Sequence, residues 1–329
     1  MTKPKVAFYW CASCGGCEEA VVDLDEDLLT LAALVDVVFW PVALDFKRED
    51  VEALPDGELA ASFINGAVRT SEQEEMVALL RRKSLVVVAF GSCAVLGGVP
   101  GLANLYEPDA ILSAVYREAP SLEDGGARSV TAVTRVDEGE LSLPVFGETV
   151  RTLDQVIDVD YYLPGCAPPR ALIWAALAAL VDGTLPEKGS VLAPDVALCS
   201  ECPRLATKPE RLFVDRFRRP QEFVADAETC LLAQGLVCLG AATRAGCQAV
   251  CIGANMPCTG CMGPTSRVSD HGAKALSAIA SLLDANEETD VLVRTNEIVD
   301  PVGTFYRYSL PASLLHGRVA AASARGATR

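Results

Sequence analysis

The stretch Leu85-Val-Val-Val-Ala-Phe-Gly-Ser-Cys-Ala94 decides the fold. Its apolar run is rich in β-branched residues and too short for a core helix, so it reads as a strand buried on both faces. It ends abruptly on a small-residue loop that carries a cysteine. The same pattern recurs outward along the chain. Lys5–Trp10 is a strand that leads into Cys14-Gly-Gly-Cys17, and Val156–Leu163 is a strand that leads into Pro164-Gly-Cys-Ala-Pro-Pro169. Val35–Phe39 and, more weakly, Ala60–Asn65 are further strands.

Helical segments fall between these strands. Glu18–Ala33 places Val21, Leu24, Leu28 and Leu31 on one face. Ser71-Glu-Gln-Glu74 reads as a capping box that opens a helix through Arg82. Arg170–Asp182 reads as a helix closed by Gly183. Strands alternating with helices predict an α/β class with an open, flavodoxin-like parallel sheet over residues 1–185. Residues 104–150 are less regular and read as a surface excursion.

Residues 186–329 show no such alternation and predict a C-terminal domain low in regular secondary structure. Helices are expected at Ala273–Leu283 and Phe213–Arg218. With cysteine, glycine and proline throughout, this half is expected to use bound metal clusters in place of a full apolar core. The tail from His316 to Arg329 is expected to be poorly ordered without a partner.

The chain has 13 cysteines, and all but Cys11 sort into three groups of four. Cys14, Cys17, Cys93 and Cys166 lie in loops that follow strands. Ligands of an open α/β sheet bind beyond the carboxyl ends of its strands, so these four can converge on one rim. Cys199, Cys202, Cys230 and Cys238 form a second group, and Cys247, Cys251, Cys258 and Cys261 a third. Division in order along the chain is the simplest, although two-cluster ferredoxins exchange a ligand between sites. Four thiolates hold one [4Fe–4S] cubane, so twelve predict three, and three clusters in one small protein carry electrons in a line. Four-cysteine zinc sites are the competing occupant, and a buried hydrophobe is the plain alternative for any one cysteine. Cys11 reads as a structural thiol at a strand end.

The bulk composition narrows the function further. The 329 residues carry a formal net charge of −16, which argues against a nucleic-acid partner. No apolar stretch approaches the length of a membrane span, although mean hydropathy is +0.27. The N-terminus has no signal-peptide pattern, so a cytoplasmic protein is expected, where cysteines read as metal ligands before disulfides. Two histidines, His271 and His316, make imidazole catalysis a poor expectation.

Taken together, Cys14-Gly-Gly-Cys17, Phe90-Gly-Ser-Cys-Ala-Val-Leu-Gly-Gly98, Ile157-Asp-Val-Asp160, Leu163-Pro-Gly-Cys-Ala-Pro-Pro169, Gln234-Gly-Leu-Val-Cys-Leu-Gly240 and Pro257-Cys-Thr-Gly-Cys-Met-Gly-Pro264 resemble the small subunits of cytoplasmic [NiFe] hydrogenases. The F420-non-reducing (methyl-viologen-reducing) type is the nearest in pattern. The resemblance implies a proximal cluster on Cys14, Cys17, Cys93 and Cys166, facing a large subunit with the Ni–Fe centre. It assigns a medial cluster to Cys247, Cys251, Cys258 and Cys261, and a distal one to Cys199, Cys202, Cys230 and Cys238.

It further implies electron relay to a [2Fe–2S] or flavin subunit of a heterodisulfide-reductase-like complex. The nickel ligands of such large subunits have no counterpart here, so the chain is not expected to turn over hydrogen alone. The small subunits of NAD(P)-linked hydrogenases and sulfhydrogenases are the alternative. Quinone-reductase subunits of the complex I type fit less well, since they carry one cluster with adjacent cysteines. Glu18, beside Cys17, is expected as a solvated first-turn carboxylate, with interfacial proton transfer as its alternative role.

Overall fold

A computed structural model describes residues 3–122, 130–283 and 287–315. Five parallel strands form the central sheet: β1 (Lys5–Trp10), β2 (Asp36–Phe39), β3 (Leu59–Asn65), β5 (Ser84–Phe90) and β9 (Tyr161–Leu163). Their order across the sheet is β2-β1-β3-β5-β9, the flavodoxin-like arrangement. Helices α1 (Gly16–Val22), α2 (Asp27–Leu34) and α7 (Arg170–Val181) cover one face. Helices α3 (Arg48–Glu52), α4 (Ser71–Lys83) and α5 (Ser92–Leu96) cover the other.

Strand alternation explains the two cores. Val6, Phe8, Phe63, Val88 and Phe90 face α1 and α7, whereas Ala7, Ile64, Val87 and Ala89 face α4. Both sets are apolar, which is why the strands read as unbroken hydrophobic runs. Phe8 anchors the first core, with ring centroids 4.9 Å from Trp40 and 5.2 Å from Phe63.

The elements depart from the sequence expectations in several places. The single helix expected over Glu18–Ala33 is two, α1 and α2, separated by a turn in which Asp25 adopts a positive φ of 55°. The capping box of α4 sits one residue earlier than expected. Thr70 is the N-cap, and Gln73 returns a side-chain acceptor to its amide. The last strand is only Tyr161–Leu163, and residues 156–160 ahead of it are turn and irregular backbone that follow the 3₁₀ turn Leu153–Gln155.

The 104–150 excursion holds α6 (Pro108–Tyr116) and a hairpin of β6 (Val133–Val136) and β7 (Gly139–Ser142). It ends in β8 (Phe146–Arg151), which pairs antiparallel with β4 (Val68–Thr70).

The second half contains α8 (Val250–Gly253), α9 (His271–Ala280), α10 (Glu288–Asn296) and α11 (Pro301–Phe305) among short 3₁₀ turns. Residues 213–218 form no helix. Val214 and Arg218 make isolated parallel bridges to Leu283 and Leu236 instead. This half also builds more apolar core than its punctuation implied. Phe217, Leu239, Ile279, Phe305 and Leu310 form one cluster, and Leu198, Leu231, Leu236 and Ile252 another. The expected tail, 316–329, lies outside the described residues. No helix among the described residues is long and apolar enough to cross a membrane.

The edge strand β9 is fixed by a buried carboxylate. Asp160 accepts from Arg81 Nη1 at 2.6 Å, Lys188 Nζ at 2.6 Å and the Val87 amide at 2.8 Å. Burial alone would raise its pKa, but these donors outweigh burial and hold it below the usual carboxylate range. The stabilisation is therefore present above the ordinary carboxyl pKa and is lost as pH falls through the depressed one. Asp160→Asn should cost about 1–3 kcal/mol at pH 7. The gap between variant and wild-type unfolding midpoints should narrow as pH is lowered below about 4.

Candidate iron–sulfur sites

The first cysteine group stands at the carboxyl rim of the sheet. Cys14 and Cys17 follow β1, Cys93 opens α5 after β5, and Cys166 follows β9. Burial raises the Cys17 thiol pKa, and repulsion from Cys93, Cys166 and Cys14 raises it further. Cys93 is pushed up to about 12, again by burial first and then by Cys166 and Cys14. Neighbouring sulfurs that oppose the ionisation of Cys17 and Cys93 form a donor set that a cationic metal centre would discharge. Cys17 and Cys93 are buried, while Cys14 and Cys166 are exposed, so the group opens to the surface on one side.

The loops are shaped closely around these sulfurs. Gly91 has φ +85°, and a Cβ there would lie 2.3 Å from Cys17 Sγ. A Cβ on Gly98 would lie 2.4 Å from Cys93 Sγ. Neither position tolerates a side chain while the sulfurs keep their places.

Glu18 is not solvated, contrary to the sequence expectation. It is 3% exposed, accepts from Asn65 Nδ2 at 2.6 Å, and also accepts from Trp40 Nε1. Burial raises its pKa against the opposing effect of both hydrogen bonds. Asn65 also accepts from Ser13 Oγ at 3.1 Å. The chain Ser13–Asn65–Glu18–Trp40 thus ties the Cys14–Cys17 loop to the end of β3. Cys11 points away from this group, into the apolar core beneath α4.

The second and third groups each surround a cavity. Cys199, Cys202, Cys230 and Cys238 line one with Leu231, Leu232 and Ile252. Cys247, Cys251, Cys258 and Cys261 line another of about 260 Å³, and Cys166 of the first group reaches its wall. Among the described residues, no three histidine, cysteine or acidic side chains converge tightly enough for a single ion.

The three groups are bonded in series. Cys166 and Cys261 line one cavity, and the Cys166 backbone lowers the Cys261 thiol pKa, which burial pushes up to about 12. The Cys258 amide donates to Cys238 Sγ at 3.4 Å. Ser92 makes the first junction rigid. Its amide donates to Gly165 O at 2.8 Å, its Oγ donates to Cys261 O at 2.5 Å, and it accepts from the Gly165 amide at 3.3 Å. The role of Ser92 is missed by a reading that looks only for sulfur, although its place beside Cys93 is a visible signal.

The wall between the second and third groups also carries Thr243 and His271. Thr243 Oγ1 donates to Leu239 O at 2.8 Å and lies 3.4 Å from His271 Nε2. Its hydroxyl also contacts the Cys258 sulfur.

A family model described as the 20 Kd subunit of NADH ubiquinone oxidoreductase matches residues 14–180. The iron–sulfur subunit of the F420-non-reducing hydrogenase of Archaeoglobus profundus is 38% identical over 96% of this chain and 98% of its own length. The matching subunit of the F420-non-reducing hydrogenase of Methanothermobacter thermautotrophicus is 36% identical over 95% of this chain and 96% of its own. Among solved structures, a chain of the [NiFeSe] hydrogenase of Desulfovibrio vulgaris Hildenborough aligns with a TM-score of 0.52 and 18% identity. The alignment covers 80% of this chain and 94% of that one, and at this identity it supports the fold alone.

Burial pushes the His271 pKa down to about 4, although Asp270 acts in the opposite sense. The unfolded chain therefore binds a proton there that the folded chain refuses between about pH 6.5 and pH 4. Stability should fall as pH drops through that window. In His271→Gln the fall should be shallower, as read from unfolding midpoints at about pH 7 and about pH 4.5.

Proposed function

This chain belongs to the family of the iron–sulfur subunits of F420-non-reducing hydrogenases and to that of the 20 Kd NADH ubiquinone oxidoreductase subunit. From that premise we propose that it is the electron-relay subunit of a [NiFe] hydrogenase, holding three [4Fe–4S] clusters. The observation that carries this reading is the serial contact of three four-cysteine groups, from Cys166 to Cys261 and from Cys258 to Cys238. The donor sets fit: all-thiol groups surround cavities, and glycine loops leave no room beside the rim sulfurs.

Cys14, Cys17, Cys93 and Cys166 would hold the proximal cluster. Cys247, Cys251, Cys258 and Cys261 would hold the medial one, and Cys199, Cys202, Cys230 and Cys238 the distal one. When bound, such clusters supply one-electron carriers, so the subunit links a Ni–Fe site on a large subunit to an iron–sulfur or flavin acceptor. The exposure of Cys14 and Cys166 supports docking of the large subunit over the proximal rim. Residues 1–185 would then form the domain that meets the catalytic subunit, and residues 186–329 the domain that delivers electrons outward. A [2Fe–2S] or flavin subunit of a heterodisulfide-reductase-like complex is the acceptor we infer.

The protein's own groups set the conditions for that relay. Ser92 holds the proximal and medial loops in register. The Glu18–Asn65–Trp40 network fixes the Cys14–Cys17 loop. The apolar cluster around Leu198, Leu231 and Ile252 packs against Cys202 and Cys238.

The chain, co-purified anaerobically with its large subunit, should contain about twelve irons and as many acid-labile sulfides. Its EPR signals should grow under hydrogen. Zinc in place of iron would refute the relay. Gly91→Ala should remove about four irons by displacing Cys17, while Cys11→Ser should remove none.

A further inference from the structure

Among the described residues, three arginines are almost fully buried: Arg69 at 5% exposure, Arg204 at 4% and Arg244 at 3%. Two of them are well paired. Arg204 donates to Asp226 O at 3.1 Å, Ile252 O at 3.1 Å and Asn255 Oδ1 at 2.9 Å. Arg244 donates to Pro264 O at 3.0 Å and meets Asp195 at 2.9 Å. Arg69 differs. None of its three guanidinium nitrogens has a hydrogen-bond partner among the described residues. Its guanidinium lies 4.0 Å from the centroid of the Phe146 ring, and Glu148 acts on it only at longer range.

A cation over an aromatic face recovers a small part of what desolvation of an unpaired charge costs. Such a group calls for a partner that the isolated chain lacks. Its position indicates where that partner comes from. Arg69 lies on β4, two residues past Ala67, which exchanges backbone bonds of 2.8 and 2.9 Å with Ala12. Its strand thus starts next to the bridge that joins Ala67 to the segment leading into Cys14. Phe146 covers it and is itself 38% exposed. The chain leading to Phe146 exposes Leu141, Leu143 and Val145 as well, at 61%, 55% and 68%. Exposed apolar side chains concentrated on one segment in this way favour a surface that a partner covers.

We propose that Arg69 is the seat for a carboxylate side chain of the large catalytic subunit, carried on an apolar segment that packs over Val145 and displaces the Phe146 ring. The proposal rests on the reading that a large subunit docks at the proximal rim, and it adds the chemistry of the contact. A buried guanidinium supplies up to five donors in a planar fork, which a carboxylate satisfies two at a time. The apolar run supplies the dry surround that makes such a pair strong.

The test uses the anaerobically purified complex. Arg69→Met keeps the volume and removes the charge. It should weaken subunit association about thirtyfold or more, read from a dilution series, with iron per small subunit unchanged. Arg69→Lys should recover part of the loss. An unchanged dissociation constant in Arg69→Met would mean that the charge is satisfied within the chain, for instance by buried water, and would overturn the proposal. Hydrogen exchange on the wild type needs no variant to fold. Residues 68–70 and 145–151 should be more protected in the complex than in the dissociated chain, and equal exchange would likewise overturn the proposal. A wild-type chain that never associates with a hydrogenase large subunit would instead refute the functional reading.

Discussion

Convergence of strand ends on one rim is the constraint on which this molecule depends. Parallel strands carry their loops to the same edge, so β1, β5 and β9 deliver Cys14, Cys17, Cys93 and Cys166 to one place from positions far apart in the chain. The rest of the sheet serves that convergence. Phe8, Phe63 and Phe90 lock the strands together under the rim, and α1 and α7 close the face on which Cys17 lies. A register slip in β5 would turn its apolar residues to the wrong face and carry Cys93 out of the group.

The second half is hung from this rim. Ser92, one residue before Cys93, bonds both the Cys166 loop and the Cys261 loop. The Gly98 amide donates to Tyr308 O at 2.9 Å, and Gln155 Nε2 donates to Pro311 O at 2.8 Å. The three sulfur groups are therefore held in fixed relation by short backbone contacts. Electron exchange is steep in distance, so a relay gains more from such rigid spacing than from any single ligand's strength. The protein also uses ordinary apolar packing here, in the clusters around Phe217 and Leu236.

Buried polar groups mark the remaining functional pressure. Glu18, Arg204, Arg244 and Asp160 are all costly to bury, and each is met by two or more donors or acceptors. Arg69 departs from this pattern. Among the described residues, the other buried charges named here are paired, and the Arg69 guanidinium is not.

Much of this was legible in the chain itself. Unbroken apolar runs such as Leu85–Phe90 identified doubly buried strands, and the cysteine loops after them identified the rim, because periodicity and loop position are local properties. Order along the chain suggests a division of the crowded cysteines into two groups, the simplest of those their spacing allows. Tertiary structure alone decided that the helix after Cys17 breaks at Asp25 and that 213–218 pairs as bridges. It alone showed Glu18 to be buried, because that depends on Trp40 and Asn65, which lie 22 and 47 residues away. The link from Ser92 to Cys261 spans 169 residues, and the orphaned charge of Arg69 is defined by what does not reach it. Sequence fixes which groups are present and their local geometry. Only the closed fold determines which distant groups meet, because burial and pairing belong to the packed interior and not to the chain.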